Sequence, residues 1–338
     1  MNTAALLLGF TLGWSSPALP DIEQNYPEFE MGTTEKSWVG SVMCLGAILG
    51  CVIGATLSNK LGRKRTILIA SPMFVLGYAL IIPANGMAML YAGRAILGVP
   101  VGIFCTVTMV YVGEISMSEY RGMLSSSFQL ILTIGMLLVN LLGMALNFKW
   151  LSVVCIVISV ISFVVTLPMP ESPVYLFSKN RDEEAEKAMH WLRGEAYDTT
   201  EWKREIQQSL EEARANKLDI NELKQRYVVL PLCLGILLMI FQQLSGINVV
   251  VFYTATIFGY AKSSLEPLAA SCVVMSLQVV VTFICSMVID KAGRKILLFV
   301  SALMMCLSTA ALGGYFYVME TVSIENIKGL LKIGQLKI

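Results

Sequence analysis

Asn59-Lys60-Leu61-Gly62-Arg63-Lys64 and Asp290-Lys291-Ala292-Gly293-Arg294-Lys295 are two versions of one short basic turn, each set between long apolar runs. In each, a glycine makes the tight turn, and the cations beside it can hydrogen-bond the ends of neighbouring helices. Six apolar spans separate the two copies. A six-span unit repeated about an axis along the membrane normal is a transporter architecture, with substrate held between the halves at mid-membrane. One such triplet carries little weight, whereas two at equivalent positions of a repeat carry a good deal.

The rest of the chain agrees with a membrane setting. Of 338 residues, 56% are apolar and only 14% charged, against roughly 25% charged in soluble domains. Mean hydropathy is +0.68, and uncharged runs such as Thr66 to Asn85 and Leu124 to Asn147 exceed what a soluble core could hide. A soluble two-domain enzyme is therefore excluded as a reading. With 25 basic and 24 acidic residues the net charge is +1, which gives a nucleic acid nothing to bind. The eight cysteines lie inside apolar stretches and read as small packing residues, and the single histidine, His190, has no metal or triad partner in the sequence. Neither a cofactor nor enzymatic chemistry is expected, because no nucleophile, metal set or phosphate loop is present.

Nine spans are expected near 3–19, 37–58, 66–84, 89–113, 124–146, 150–167, 228–259, 268–289 and 297–319, each able to cross a hydrocarbon layer of ~30 Å. The first resembles a signal peptide in position but lacks the basic start and a small-residue cleavage site, so it reads as a retained helix. Basic loops after the second, sixth and eighth spans, against the acidic loop Asp21 to Glu35, put the amino terminus and the long loop in the cytoplasm. Trp38 and Trp150 fit an interfacial belt on the opposite face. Pro170 to Arg226 carries 23 of the 49 charges and divides six spans from three. Within it Asn180 to Arg193 and Thr200 to Asn216 read as amphipathic helices, and Asp219 with Glu222 resembles a capping box for a third. The domain division is thus 1–169, a six-helix bundle; 170–227, a cytoplasmic helical linker; 228–319, three helices; and 320–338, an atypical tail.

Over nearly its whole length the sequence resembles the sugar porter family of the major facilitator superfamily. The motifs that carry the resemblance are the paired basic turns; Gly93-Arg94 with Tyr111, Glu114, Arg121 and Gly122; Pro170-Glu171-Ser172-Pro173; and Gln242-Gln243-Leu244-Ser245-Gly246-Ile247-Asn248. Gly13-Trp14-Ser15-Ser16-Pro17 is most similar to the arthropod trehalose and hexose facilitators. The resemblance implies an all-α major facilitator fold in which nine of twelve spans are present, so that a truncated member with an incomplete second bundle is expected.

Physical chemistry supports a sugar site in the seventh span. Buried amides need partners or water, or each costs roughly 1–3 kcal/mol, and amides both donate and accept, as a hydroxyl-rich neutral sugar requires. On one continuous helix Gln242, Ser245, Gly246 and Asn248 would share a broad polar face, with Gly246 allowing deformation. The resemblance adds Gln243, Gln129 and Gln278 as sugar ligands, Phe252 and Tyr253 as an aromatic gate, and Arg63, Glu114, Arg121, Glu171, Asp290 and Arg294 as an intracellular gating network that locks the halves. Gln278 stands where the family usually has an asparagine, and Asn59 where many members carry an aspartate. Arg94, at the start of the fourth span and close to the interface, reads as structural, stabilising one gating state. Proton-coupled members carry a carboxylate at the position of Thr11, so facilitated uniport of a sugar such as trehalose or glucose is favoured, at the plasma membrane. A non-transporting membrane protein and a proton symporter are the alternatives. Its partners are a small neutral sugar and the lipid bilayer.

Overall fold

The computed structural model is all-helical and describes residues 2–117, 121–195, 197–215, 226–260 and 266–335; for 121, 209–215, 260, 289–292, 294, 319–320 and 322–335 only the backbone is described. The helices are α1 (Asn2–Gly13), α2 (Ser15–Asn25), α3 (Thr33–Leu61), α4 (Arg63–Ile81), α5 (Met87–Ile115), α6 (Arg121–Gly143), α7 (Phe148–Thr166), α8 (Pro173–Ser178), α9 (Asp182–Arg193), α10 (Thr200–Ala215), α11 (Arg226–Leu244), α12 (Ile247–Tyr260), α13 (Pro267–Ala292) and α14 (Arg294–Gln335). Eight helical segments among the described residues are long and apolar enough to cross a bilayer. The two-part segment α1–α2 is the ninth.

The expected first span, near 3–19, lies within α1 and α2, which together run to Asn25. Pro17 has no N–H to offer the carbonyl four residues back, at Gly13, so one bond of the ladder is missing there. Trp14 itself keeps helical geometry (φ −53°, ψ −36°), its N–H bonding the Phe10 carbonyl and its carbonyl accepting from Ala18; its ring is wholly buried and its Nε1 donates to Ser152 Oγ of α7 at 3.1 Å. The second to sixth spans stay helical throughout because hydrocarbon offers the backbone no other partner. Buried hydroxyls bond to their own helix, as Ser71 does to the Ile67 carbonyl at 2.8 Å and Ser159 to that of Cys155 at 2.7 Å.

Residues 1–282 form one compact unit. Within it α5 is the central helix, packed along α3 and α4, while α1 lies along α6 and α4 along α7. Small residues let α3 and α5 approach at backbone distance: Gly46 and Gly50 face the carbonyls of Ala95 and Val99. Outward-facing apolar side chains such as Leu45, Leu49, Val52 and Ile161 are exposed, as lipid contact requires. No residue of α11 is buried, whereas α12 packs on α2 and α1. Residues 283–338, the end of α13 and α14, are a second unit, with Ile296, Phe299 and Leu303 exposed.

The linker helices α8, α9 and α10 make a small core of their own from Leu176, Ala185, Ala188, Met189 and Trp202. Ala185 and Met189 are on the expected apolar stripe, and the capping box at Asp219 lies outside the described residues. Lys203 hydrogen-bonds Glu186 and holds its carboxyl below the ordinary glutamate range. That contact is complete near neutral pH and is lost as the pH falls through the depressed value.

Gly50→Ala places a Cβ against the Val99 carbonyl oxygen, inside any normal contact distance. It should destabilise the bundle by ~1–3 kcal/mol, read as a lower melting temperature in detergent. Gly113→Ala, where a Cβ meets nothing within 4 Å, should leave the temperature unchanged or raise it.

Candidate functional site

Three groups of polar residues interrupt the apolar scaffold. The first surrounds Arg94, which is completely buried among the helices, seven residues into α5. Its Nη2 donates to Ser15 Oγ at 2.6 Å, Nη1 to the Thr11 carbonyl at 3.4 Å and Nε to the Val39 carbonyl at 3.3 Å. The guanidinium also lies 5.1 Å from the Trp14 ring centroid. No carboxylate is among its described partners. The hydrogen bonds reach α1, α2 and α3, and the accepting Thr11 carbonyl belongs to the last turn of α1.

The second group is the amide segment of the seventh span. The helix is interrupted at Ser245 and Gly246, with Gly246 at φ +78°, a conformation glycine adopts freely. The span deforms at Gly246 as expected: α11 ends at Leu244 and α12 begins at Ile247, so Gln242 and Asn248 lie on opposite sides of the interruption. Across the break Asn248 Nδ2 donates to Gln243 Oε1 at 3.0 Å, and Ser245 Oγ bonds the Gln242 carbonyl at 2.5 Å. Gln242, Gln243 and Asn248 are all exposed, as is Gln129 on α6, and Gln278 on α13 is half-buried. The structure thus brings Gln243 and Asn248 into direct contact, and Gln129 and Gln278 have no described side-chain bond to them.

Farther along α12, Phe252 is buried and Tyr253 departs from helical geometry (φ −123°, ψ 20°). The Tyr253 hydroxyl lies between the carbonyls of Lys36 and Ser37 on α3, at 3.0 and 3.2 Å. These contacts close α12 onto the acidic end of α3.

The third group occupies the end that carries the basic turns. Gly62 adopts φ +100°, and the Glu171 carboxylate takes the place a side chain would fill. Glu171 Oε1 accepts from the backbone N–H of Arg63 at 2.7 Å, Lys64 at 2.9 Å and Ser172 at 3.0 Å, and Oε2 accepts from Arg65 at 3.4 Å. A carboxylate therefore caps the N-terminus of α4, where unpaired N–H groups and the helix dipole favour negative charge. Alongside, Arg63 pairs with Glu114 at 2.6 Å, and Ser172 Oγ donates to the other oxygen of Glu114 at 2.6 Å. The Tyr175 and Tyr111 hydroxyls donate to the carbonyls of Lys60 and Pro170 at 2.7 and 2.8 Å. The described bonds of Arg63, Glu114 and Glu171 all remain within the first six spans and the linker; the side chains of Arg121, Asp290 and Arg294 lie outside those described.

Sequence reading missed Ser15, Ser172 and Tyr175. Ser172 had a signal, since it precedes Pro173 in the N-cap position of α8 and accepts from Tyr175 N at 3.3 Å. Ser15 had only its place beside Trp14.

Comparison with known proteins gives a consistent picture. The family described as "Sugar (and other) transporter" matches residues 3–333. The chain is 38% identical over 320 residues to "Solute carrier family 2, facilitated glucose transporter member 8" of Bos taurus, covering 93% of this chain and 64% of that protein. It is 33% identical over 327 residues to "Facilitated trehalose transporter Tret1" of Apis mellifera ligustica, covering 96% and 65% respectively. The chain thus spans less than two thirds of these relatives. Among solved structures, the proton:xylose symporter XylE bound to 6-bromo-6-deoxy-D-glucose superposes with a TM-score of 0.74 at 23% identity, covering 87% of this chain and 68% of that one. The partially occluded inward-open form of XylE from E. coli gives 0.69 at 22% identity, with 87% and 72% covered. The fold is therefore that of the major facilitator superfamily.

Glu171→Gln removes the charge across the start of α4 while keeping its shape. Hydrogen bonds to a charged group contribute about 1.5–3 kcal/mol, so amide exchange at Arg63, Lys64 and Arg65 should accelerate about ten- to a hundredfold, measured by hydrogen–deuterium exchange. Unchanged protection there would remove the cap from the account.

Proposed function

The chain belongs to the sugar transporter family, and we propose that it carries a neutral sugar such as trehalose or glucose across the plasma membrane by facilitated uniport, through alternating access. The observation that carries this proposal is the broken seventh span, where exposed amides cluster between two apolar helices and Asn248 bonds Gln243 across the break. An interrupted helix with polar side chains at mid-membrane is tolerated where it lines a cavity or a protein contact. Gln129, Gln242, Gln243, Asn248 and Gln278 form the sugar site, and Phe252 and Tyr253 form its outer gate. The basic face is cytoplasmic, with Arg63, Glu114 and Glu171, together with Arg121, Asp290 and Arg294, as its gating network. The chain divides at 1–169, 170–227, 228–319 and 320–338.

Uniport is favoured over symport by the chemistry around Arg94. Thr11 is a buried hydroxyl bonded to its own helix at the Leu7 carbonyl, and it cannot take up and release a proton near neutral pH. Arg94 bonds two carbonyls and a hydroxyl, and no carboxylate is among its described partners.

Labelled glucose and trehalose should equilibrate across proteoliposomes carrying the chain in verified orientation, without accumulation and without sensitivity to a protonophore. Accumulation that collapses with the protonophore would overturn uniport, and no uptake of either sugar by inserted protein would overturn carriage by this chain.

Gln242→Ala should weaken sugar affinity about five- to a hundredfold, the equivalent of ~1–3 kcal/mol for unpaired polar groups. Cys233→Ala, on the same α11, should change it little. Equal affinities in equally expressed variants would return Gln242 to a packing role.

A further inference from the structure

A cavity of about 570 Å³ opens at the acidic end of the first unit, away from the amide segment. Five pieces of chain converge on it: the end of α2, the start of α3, the turn between α6 and α7, the end of α12 and the start of α13. Sites for small molecules commonly measure ~300–1,000 Å³, so the space admits a mono- or disaccharide. Thr256, on its wall, lies eight residues beyond Asn248, roughly 12 Å along α12 at 1.5 Å per residue. The cavity is therefore separate from the proposed amide site, with the Tyr253 contact between them in sequence.

The lining selects the chemistry of an occupant. It offers the carboxylates of Asp21, Glu23 and Glu266, the amides of Gln24 and Asn25, and the Thr256 hydroxyl. A carboxylate can accept from two neighbouring hydroxyls of one sugar ring, while an amide donates and accepts. The charges do not favour an ion. Lys36, the one cation among the described lining residues, is largely buried and already neutralised by Glu23 at 2.5 Å. Nor do three acidic groups come together in a metal-binding cluster among the described residues. Pro20, Met144 and Pro267 add apolar surface against which the C–H face of a sugar can rest.

Part of the wall is also held in place before any ligand arrives. Asp21 accepts from the Phe148 backbone N–H at 2.6 Å and from Asn25 Nδ2 at 2.7 Å, tying α2 to the start of α7. Lys36 connects the cavity to the gate, since its side chain lines the space and its carbonyl accepts from Tyr253. We propose that this cavity is an outer binding site for a neutral, hydroxyl-rich ligand of the sugar class, occupied while α12 is closed on α3. It serves as an antechamber to the amide segment, and in that respect it rests on the sugar-carrier function above.

Equilibrium binding of labelled trehalose and glucose to the full chain in detergent tests the proposal. Two classes of site are expected, with Gln242→Ala weakening only the tighter one. Glu266→Gln, at an exposed position, should weaken the other class about tenfold, the loss expected when a hydrogen bond to a charged acceptor is removed. Thr256→Trp, which narrows the cavity from the α12 side, should weaken that class further. A single class lost in Gln242→Ala and indifferent to both cavity variants overturns the outer site and leaves the carrier function standing. Two classes of which neither responds to Glu266→Gln, or displacement of the weaker class by magnesium ions, also overturns it. Binding of neither sugar in either class removes the carrier function and the antechamber together.

Discussion

A guanidinium buried without a described acidic partner is the constraint around which the first bundle is arranged. Placing a charge in a low-dielectric interior costs several kcal/mol unless hydrogen bonds replace its hydration. Arg94 obtains them from α1, α2 and α3 at once. The Ser15 hydroxyl accepts from one end of the fork at 2.6 Å, and the Trp14 ring lies over the cation. The arrangement needs the planar, multiply donating fork of arginine, since a lysine ammonium cannot reach three separated acceptors in one plane.

Water-facing ends of the same helices are held by a different device. Glu171 spans the open N–H groups of α4, and Glu114 neutralises Arg63 while accepting from Ser172. The residues on the linker side, Glu171, Ser172 and Tyr175, follow directly from the end of the sixth span, so the start of the linker is bonded to α4 and α5. Gly62 makes this possible twice over: its positive φ turns the chain, and its missing side chain leaves room for the carboxylate. The repeat signal in the sequence thus marks a place where backbone geometry and charge depend on each other.

The spans were legible in the sequence because apolar length is imposed by the bilayer and needs no knowledge of partners. The interruption near Gly246 was legible too, since adjacent amides and a glycine in an apolar run have few alternatives. What could not be read was the pairing of residues far apart in the chain. Glu171 and Arg63 belong to motifs evident from the sequence, yet nothing in their spacing says that the carboxylate binds backbone N–H groups of α4 while the guanidinium goes to Glu114. Nor could the spacing say that Arg94 finds its acceptors on α1, α2 and α3 at once.

The two ends of the bundle also differ in what a rearrangement has to break. At the acidic end the described polar contact between α12 and α3 is one tyrosine hydroxyl shared by two carbonyls, beside the buried Phe252. Neutral hydrogen bonds of this kind contribute about 0.5–1.5 kcal/mol each, and the freed groups can be rehydrated from the adjoining cavity. At the basic end, the described bonds of Arg63, Glu114 and Glu171 are charge-assisted and lie among α3, α4, α5 and the start of the linker. None of these described bonds involves α12, so the contact that holds α12 to α3 is neutral where the one that holds the basic turn is ionic, and the two are independent of each other.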